Sequence, residues 1–278
     1  MNLIHAIILG IVEGITEFLP VSSTGHLTFV EKLLGYKIDD PGITAFTAII
    51  QVGAIVASII YFWGDIIAIV VAWFRGLTHP EERTDPDYTM GWAVILGSIP
   101  VAVTGIVFKH AIETTLRSLW IVAGALIVWS IVMAVADRMT ELDRGIDQVT
   151  WRDGLVIGVF QALAPVFPGI SRSGATISAG LFRGFDRVTA TRLSFLLGIP
   201  ALVAAGGLEA VSQSSAISST VGWGPTAVGT IISMVVAYFS ISWLLRFVSK
   251  NSFTVFIVYR VALGLLIIAL LVTGMITA

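Results

Sequence analysis

Two apolar stretches of this sequence are interrupted near their middles, and the interruptions carry most of its chemistry. Leu3–Leu34 is broken by Pro20-Val21-Ser22-Ser23-Thr24-Gly25-His26. Leu155–Phe182 is broken by Pro165 and by Pro168-Gly169-Ile170-Ser171-Arg172-Ser173-Gly174. A helix needs about 20 apolar residues to cross a bilayer, and each half-segment is too short to do so alone. Proline and glycine stop helices. Backbone groups freed in hydrocarbon are tolerated only around a protein-lined cavity. Both stretches therefore predict re-entrant helix–loop–helix segments.

The rest of the chain supplies a bilayer context. Six uninterrupted apolar runs predict transmembrane helices: Ile43–Trp63, Gly91–Phe108, Leu119–Ala136, Ala190–Ala210, Thr226–Leu245 and Thr254–Ile276. Only 12% of residues are charged, about half the share of a soluble domain. The net charge of -2 excludes the basic stripe of a nucleic-acid binder. With no cysteine, disulfides and thiolate metal sites are excluded. Met1–Gly10 has no basic region, and Glu13 and Glu17 follow closely, so the first segment is expected to remain in the mature protein rather than act as a signal peptide.

Charge sets the expected orientation. The loops around Arg75–Tyr88, Asp137–Arg152, Arg183–Arg192 and Arg246–Lys250 hold 10 of the 16 Lys and Arg residues, whereas Val211–Pro225 holds none. The positive-inside rule puts the basic loops in the cytoplasm. Both termini then lie outside, and the two broken segments enter from opposite sides. The basic loop Lys109–Arg117, on the outer side in this scheme, runs against the trend. Sliding the chain by 148 positions aligns the broken segments without a gap: Gly10 meets Gly158, Glu13 meets Gln161, Pro20 meets Pro168, Ser23 meets Ser171 and Thr28 meets Thr176. Each broken segment precedes three runs, so the second copy is inverted. The expected fold is an all-α membrane protein in one domain, 1–278. Repeat 1 covers about 1–140 with its re-entrant segment at 3–34, and repeat 2 covers about 150–278 with its segment at 155–182. Inverted repeats on discontinuous helices place their site near the bilayer midplane.

Glu13 and Glu17 are four apart and share a helix face. Acidic residues inside an apolar run cost about 2.5–3.5 kcal/mol each on translocon scales. That arrangement suits a shared cation or an acid/base pair better than a solvated surface helix, which would carry more polar residues. Ser22, Ser23, Thr24 and His26 offer hydroxyls and an imidazole on one turn, the materials of a nucleophile and its base, although serine and threonine also cap helices. In the second motif Arg172 stands between Ser171 and Ser173, with Thr176 one turn on. A glycine-rich break that opens a helix presents free N–H groups to an anion, and arginine adds donors matched to phosphate oxygens. A snorkelling arginine is the simpler alternative, but the neighbouring hydroxyls favour an anion cradle. Gln51 is expected to hydrogen-bond between helices, Arg260 to snorkel from its span, and Asp153 to pair with Arg152. The substrate class that follows is an anionic head on a lipid tail.

The motifs Glu13-Gly14-Ile15-Thr16-Glu17-Phe18-Leu19-Pro20-Val21-Ser22-Ser23-Thr24-Gly25-His26 and Pro168-Gly169-Ile170-Ser171-Arg172-Ser173-Gly174-Ala175-Thr176 closely resemble the two signatures of the undecaprenyl-diphosphate phosphatase family of the bacitracin-resistance type. The resemblance covers essentially the whole chain. It implies hydrolysis of undecaprenyl diphosphate to undecaprenyl phosphate and phosphate, recycling the carrier for peptidoglycan synthesis and relieving bacitracin stress. It further implies a divalent cation, Mg²⁺ or Ca²⁺, and residence in the plasma membrane with the site facing outward. A homodimer is one assembly compatible with it. The family's functional residues carry over to Glu13, Glu17, Ser22, Ser23, His26, Ser171, Arg172, Ser173 and Thr176.

Within this frame Glu13 and Glu17 are expected to hold the metal. Ser22, Ser171, Arg172, Ser173 and Thr176 are expected to bind the diphosphate, with Arg172 stabilising charge on the transferring phosphoryl. Three schemes remain open for the attack: phosphohistidine at His26, Ser23 with His26 as its base, or water activated by His26 or a glutamate. A lipid-phosphate transporter or flippase would use the same inverted-repeat architecture and is the alternative function.

Overall fold

The computed structural model describes residues 1–37, 40–108, 118–139, 142–212 and 217–276. The basic loop Lys109–Arg117 lies outside them. The first interrupted stretch forms α1 (Leu3–Thr16) and α2 (Ser23–Leu33), joined by a turn at residues 17–22. There follow α3 (Pro41–Tyr61), α4 (Trp63–Thr78), α5 (Pro86–Val107) and α6 (Leu119–Asp137). The second stretch forms α7 (Trp151–Gln161), a single turn Leu163–Val166, and α8 (Arg172–Phe182). The chain ends through α9 (Arg187–Ser212), α10 (Trp223–Val248) and α11 (Thr254–Val272).

Among the described residues six helices are long and apolar enough to cross a membrane, and each overlaps one of the expected runs. The edges fall where capping chemistry puts them. Asp40 accepts from the amides of Gly42 and Ile43 ahead of Pro41, and Asp85 caps α5 ahead of Pro86. Proline at the first helical position loses no bond, because that N–H has no partner within the helix. Thr150 and Asp153 close a reciprocal capping box at the start of α7.

The expected loop after the first run is instead mostly helix. The backbone turns at Phe62 and continues as α4, whose Trp63, Ile67, Val70, Val71 and Phe74 are exposed. An apolar helix of 16 residues falls short of a full span, and the basic residue Arg75 in its last turn is a helix-end signal.

Close helix approach depends on small residues. α1 lies on α10, with Gly10 against the Gly229 carbonyl, and α7 lies on α5, with Gly158 against the Gly97 carbonyl. A side chain at either position would meet backbone, so only glycine permits these contacts. α8 is the central element: every residue from Ser173 to Leu181 is buried, against α6, α7 and α9.

Ion pairs tie the ends of the helices that carry the basic loops. Asp137 accepts from Arg187 Nε at 2.6 Å and from the Phe253 amide at 2.8 Å, joining α6, α9 and α11. Asp65 pairs with Arg192 at 2.7 Å. Asp153 pairs with Arg144 and Arg183 at 2.9 and 2.7 Å, not with its neighbour Arg152. Adjacent residues on a helix point about 100° apart, and Arg152 lies over the Trp151 ring instead.

Candidate active site

The two turns are built alike. Ser22 has φ 75° and Ser171 has φ 74°, the positive-φ residues other than glycine among the described residues. Each is the N-cap of the helix that follows, and its hydroxyl accepts from the amide three residues on, Gly25 and Gly174 respectively. Positive φ costs a side-chain-bearing residue about 1–3 kcal/mol, a strain that concentrates at functional sites. The geometric equivalence is Ser22 with Ser171, one position away from the ungapped alignment of Ser23 with Ser171. The opening amides of α2 and α8 lack intrahelical partners by construction and point their positive dipole ends out of the turns.

Glu17 joins the two motifs. Its Oε2 accepts from Ser23 Oγ at 2.7 Å and from Gln51 Nε2 at 3.4 Å, while its Oε1 faces Arg172 Nη2 at 3.4 Å. Glu17 and Arg172 are 155 residues apart in the chain, so this pair brings the expected acid side and the expected anion cradle to one place. Gln51 is the interhelical hydrogen-bonder its sequence setting suggests, and its partner is the site's own carboxylate.

Glu13 is buried, and neither of its carboxylate oxygens has a hydrogen-bond partner. The charges of Glu17, Glu31 and Arg172 act on it. Glu31 is itself buried and accepts from Thr47 Oγ1 at 2.8 Å.

His26 is held at both nitrogens. Its Nδ1 lies 2.8 Å from the Ser22 carbonyl and its Nε2 2.6 Å from the Tyr259 hydroxyl. A carbonyl only accepts, so Nδ1 carries the proton and Nε2 offers the lone pair to the tyrosine O–H. The Tyr259 ring is stacked on the imidazole, with 10° between the planes. Ser23 donates to Glu17 rather than to His26.

Arg172 Nη1 donates to the Ser194 carbonyl at 3.1 Å, and its guanidinium occupies the space a side chain at residue 198 would need, so Gly198 makes room for it. Ser171 and Ser173 hydroxyls lie 3.0 Å apart, and Ser173 Oγ donates to the Leu19 carbonyl, also at 3.0 Å. Thr176 is fully enclosed and donates to Ser194 Oγ at 2.6 Å, fastening α8 to α9. The Ser22 and Ser171 hydroxyls are thus engaged with amides of their own turns and Thr176 with α9, while Arg172 and Ser173 stand at the contact between the motifs.

Arg260 corrects the sequence expectation. It does not snorkel; it is completely buried. Its guanidinium donates to the carbonyl of Pro20 at 3.1 Å and of Gly169 at 3.0 Å, one in each turn, and also reaches Ser130 Oγ at 3.2 Å and the Leu126 carbonyl at 3.4 Å. Arg260, Tyr259, Glu31 and Gly198 are the site residues that motif reading missed. The one available signal was a permanent cation inside the apolar run Thr254–Ile276, which is expensive in lipid unless it has partners.

The donor set suits a hard divalent cation. Glu13, with both carboxylate oxygens unpartnered, and Glu17 could offer the oxygen donors such an ion takes. Among the described residues no group of three or more His, Cys, Asp and Glu side chains could hold a metal. Glu13 and Glu17 alone would leave the remaining coordination positions to water and substrate phosphate.

The family model described as "Bacitracin resistance protein BacA" matches residues 6–266. Over the full length of both chains, the sequence is 67% identical to the undecaprenyl-diphosphatase of Cutibacterium acnes and 57% identical to undecaprenyl-diphosphatase 3 of Frankia casuarinae. It is 52% identical to undecaprenyl-diphosphatase 1 of Streptomyces avermitilis, over 100% of this chain and 99% of the relative.

Proposed function

The chain belongs to the bacitracin resistance protein BacA family, and we propose that its two turns form one active site that removes the terminal phosphate of undecaprenyl diphosphate. The chain is a multi-pass membrane protein and an undecaprenyl-diphosphate phosphatase, returning the lipid carrier to cell-wall synthesis and conferring bacitracin resistance. The observation that carries the site assignment is the meeting of Ser23, Gln51 and Arg172 on Glu17.

In this reading Arg172 and the opening amides of α8 hold the diphosphate, and the Ser171 and Ser173 hydroxyls shape that cradle. Glu13 and Glu17 would hold Mg²⁺ or Ca²⁺, which would supply charge neutralisation when bound. Ser23 is the nucleophile the geometry favours. Its proton already points at Glu17, leaving an oxygen lone pair for the terminal phosphorus. Attack forms the Ser23 Oγ–P bond, breaks the anhydride P–O bond and passes the serine proton to Glu17. Undecaprenyl phosphate leaves. Water then attacks the phosphoserine, His26 Nε2 takes the water proton once Tyr259 has yielded, and Glu17 returns its proton to Ser23. Inorganic phosphate leaves with the proton that His26 took from water, which restores the neutral imidazole.

The broken segments are read as re-entrant, in inverted repeats, with the site opening to the outer face of the plasma membrane. Supporting the repeat, α1 of the first half rests on α10 of the second, and α7 of the second rests on α5 of the first. The paired Ser22 and Ser171 turns support it too. Supporting the orientation, the loops bearing Arg144, Arg183 and Arg187 gather at one end.

Detergent-purified protein tests the reading, because hydrolysis needs no membrane and flipping does. Phosphate release from undecaprenyl diphosphate is expected, abolished by chelation and restored by Mg²⁺ or Ca²⁺. Quenched turnover should leave an acid-stable, base-labile phosphoserine on wild type and none on Ser23→Ala. Acid-labile label would assign the nucleophile to His26, and no labelled protein would assign it to water. Absence of phosphate release would refute the hydrolase site.

A further inference from the structure

We propose that Glu31 is a third carboxylate of the cation site, adding its charge without ligating the ion that Glu13 and Glu17 would hold, an inference that rests on the metal reading above. Glu31 lies on α2, outside both motifs, and is only 5% exposed. Its place follows from how α1 and α3 run. Gly10 and Gly14 of α1 meet Gly229 and Ser233, and Gly42 and Gly53 of α3 meet Thr220 and Thr230. Both helices therefore ascend in the same direction along one stretch of chain. Glu17 stands one turn after Glu13 on α1, and Gln51 stands one turn after Thr47 on α3, a rise of about 6 Å in each case. Gln51 donates to Glu17 at 3.4 Å, so Thr47 comes level with Glu13. Thr47 Oγ1 donates to Glu31 Oε1 at 2.8 Å and holds that carboxylate at the same level.

Charge balance then points to a cation. Glu13, Glu17 and Glu31 are all buried. The charges that act on Glu13 are those of the other two carboxylates and of Arg172. One guanidinium does not balance three carboxylates. Both Glu13 oxygens are also unpartnered, a costly state for a buried carboxylate that no cation meets. Among the described residues no group of three acids could hold one ion directly, so Glu31 acts by its charge across the space between them. The affinity of oxygen-donor sites tracks the negative charge gathered around them. That attraction doubles with the charge of the ion, so a third carboxylate favours divalent over monovalent cations. The hydroxyl of Thr47 fixes the distance at which Glu31 acts, much as Gln51 steadies Glu17 one turn on.

Full-length protein, purified in detergent and stripped with chelator, tests this with Mn²⁺ as the probe and the spin-resonance signal of the free ion as the measure of binding. Wild type should bind Mn²⁺, and Mg²⁺ or Ca²⁺ should displace it. Glu31→Gln keeps an oxygen for the Thr47 hydroxyl and removes only the charge. Its dissociation constant for Mn²⁺ should rise about tenfold or more, and Mg²⁺ should raise its melting temperature by less than it raises that of wild type. In chelator its melting temperature should not fall, because a like charge has left the cluster. Glu31→Asp does the reverse, keeping the charge and giving up reach to Thr47, and should bind within about threefold of wild type. Glu81→Gln, at an exposed position, controls for net charge and should leave binding unchanged. Wild-type affinity in Glu31→Gln, or affinity lost in Glu31→Asp and kept in Glu31→Gln, would make Glu31 a structural hydrogen-bond acceptor and overturn the proposal. Wild type that binds no Mn²⁺, or Glu13→Gln that binds it as wild type does, would instead remove the metal reading beneath it.

Discussion

Arg260→Met removes a completely buried side chain that bonds the backbone of both turns. The volume is nearly conserved and no charge remains to be buried, so the change isolates the four hydrogen bonds to Pro20, Gly169, Leu126 and Ser130. The Leu126 carbonyl and Ser130 hydroxyl keep each other, at 2.7 Å. The carbonyls of Pro20 and Gly169 each lose the guanidinium. At about 1–3 kcal/mol for each buried acceptor left unpaired, the two together cost roughly 2–6 kcal/mol. Relief from burying the cation offsets part of this, so a net loss of about 1–4 kcal/mol is expected. Catalysis should fall further than stability. Glu17 and Ser23 flank Pro20, and Arg172 follows Gly169, so both turns relax where the motifs meet, and a misplacement of about 1 Å costs roughly 100-fold. Thermal unfolding in detergent and initial rates of phosphate release give the two numbers. Arg260→Lys should recover part of the stability and little of the rate, because one ammonium cannot span both carbonyls in the guanidinium's fork geometry. Wild-type rate in a folded Arg260→Met protein would refute the idea that this residue sets the distance between the turns.

Three other perturbations address separate contacts. Gly198→Ala places a methyl where the Arg172 guanidinium lies; the side chain must leave the Ser194 carbonyl, and kcat/KM should fall about 10–100-fold with little change in melting temperature. Tyr259→Phe keeps the ring stacked on His26 and deletes the O–H donated to Nε2; one hydrogen bond of about 0.5–1.5 kcal/mol corresponds to a roughly two- to tenfold change in kcat, seen without a matching change in KM. Burial raises the Asp153 carboxyl, but bonds from Arg144, Thr150 and Arg183 outweigh it and hold the group at about 2, below its ordinary 3.8. A depressed carboxylate contributes stability above its unfolded value that is lost as pH falls through the folded one, so about 2 kcal/mol should disappear between about pH 4 and pH 2. Melting temperature against pH for wild type and Asp153→Asn measures that loss.

The six apolar runs were legible because length and hydropathy alone decide them. Likewise, the breaks were legible because proline and glycine act locally. The meeting of Glu17 with Arg172 followed from reading the two motifs as one site. What stayed hidden depends on which way a side chain faces within an otherwise apolar helix. Arg260 and Tyr259 sit side by side on α11, yet one is fully buried between the turns and the other half faces lipid while covering His26. No periodic pattern separates them, because a helix in lipid is apolar on its outer face as well as its inner one. The register of the proposed repeat is hidden for a related reason. Ser22 and Ser23 are chemically identical, and only the positive φ of Ser22 shows which of them matches Ser171.

That one-residue shift changes how the proposed repeat divides the chemistry. With Ser22 opposite Ser171, Ser23 stands opposite Arg172, and His26 stands opposite Ala175. The same first helical position therefore carries a hydroxyl in one copy and a permanent cation in the other. Both point toward Glu17, which has its own counterpart in neither register as an acid: the copies place Pro165 or Val166 there. A symmetric pair of turns with Ser–Ser would lack charge for a diphosphate, and a pair with Arg–Arg would lack a nucleophile. In the proposed mechanism, two copies of one strained turn, carrying different residues at one position, would supply the attacking oxygen and the anion-binding fork. Exchanging them tests the division. Ser23→Arg with Arg172→Ser restores the same two side chains, in the wrong copies, beside an acid that has not moved. If the division of labour depends on Glu17, the exchanged protein should fold and bind a diphosphate yet release no phosphate; recovered turnover would mean that the turns are interchangeable and that Glu17 does not decide which of them attacks.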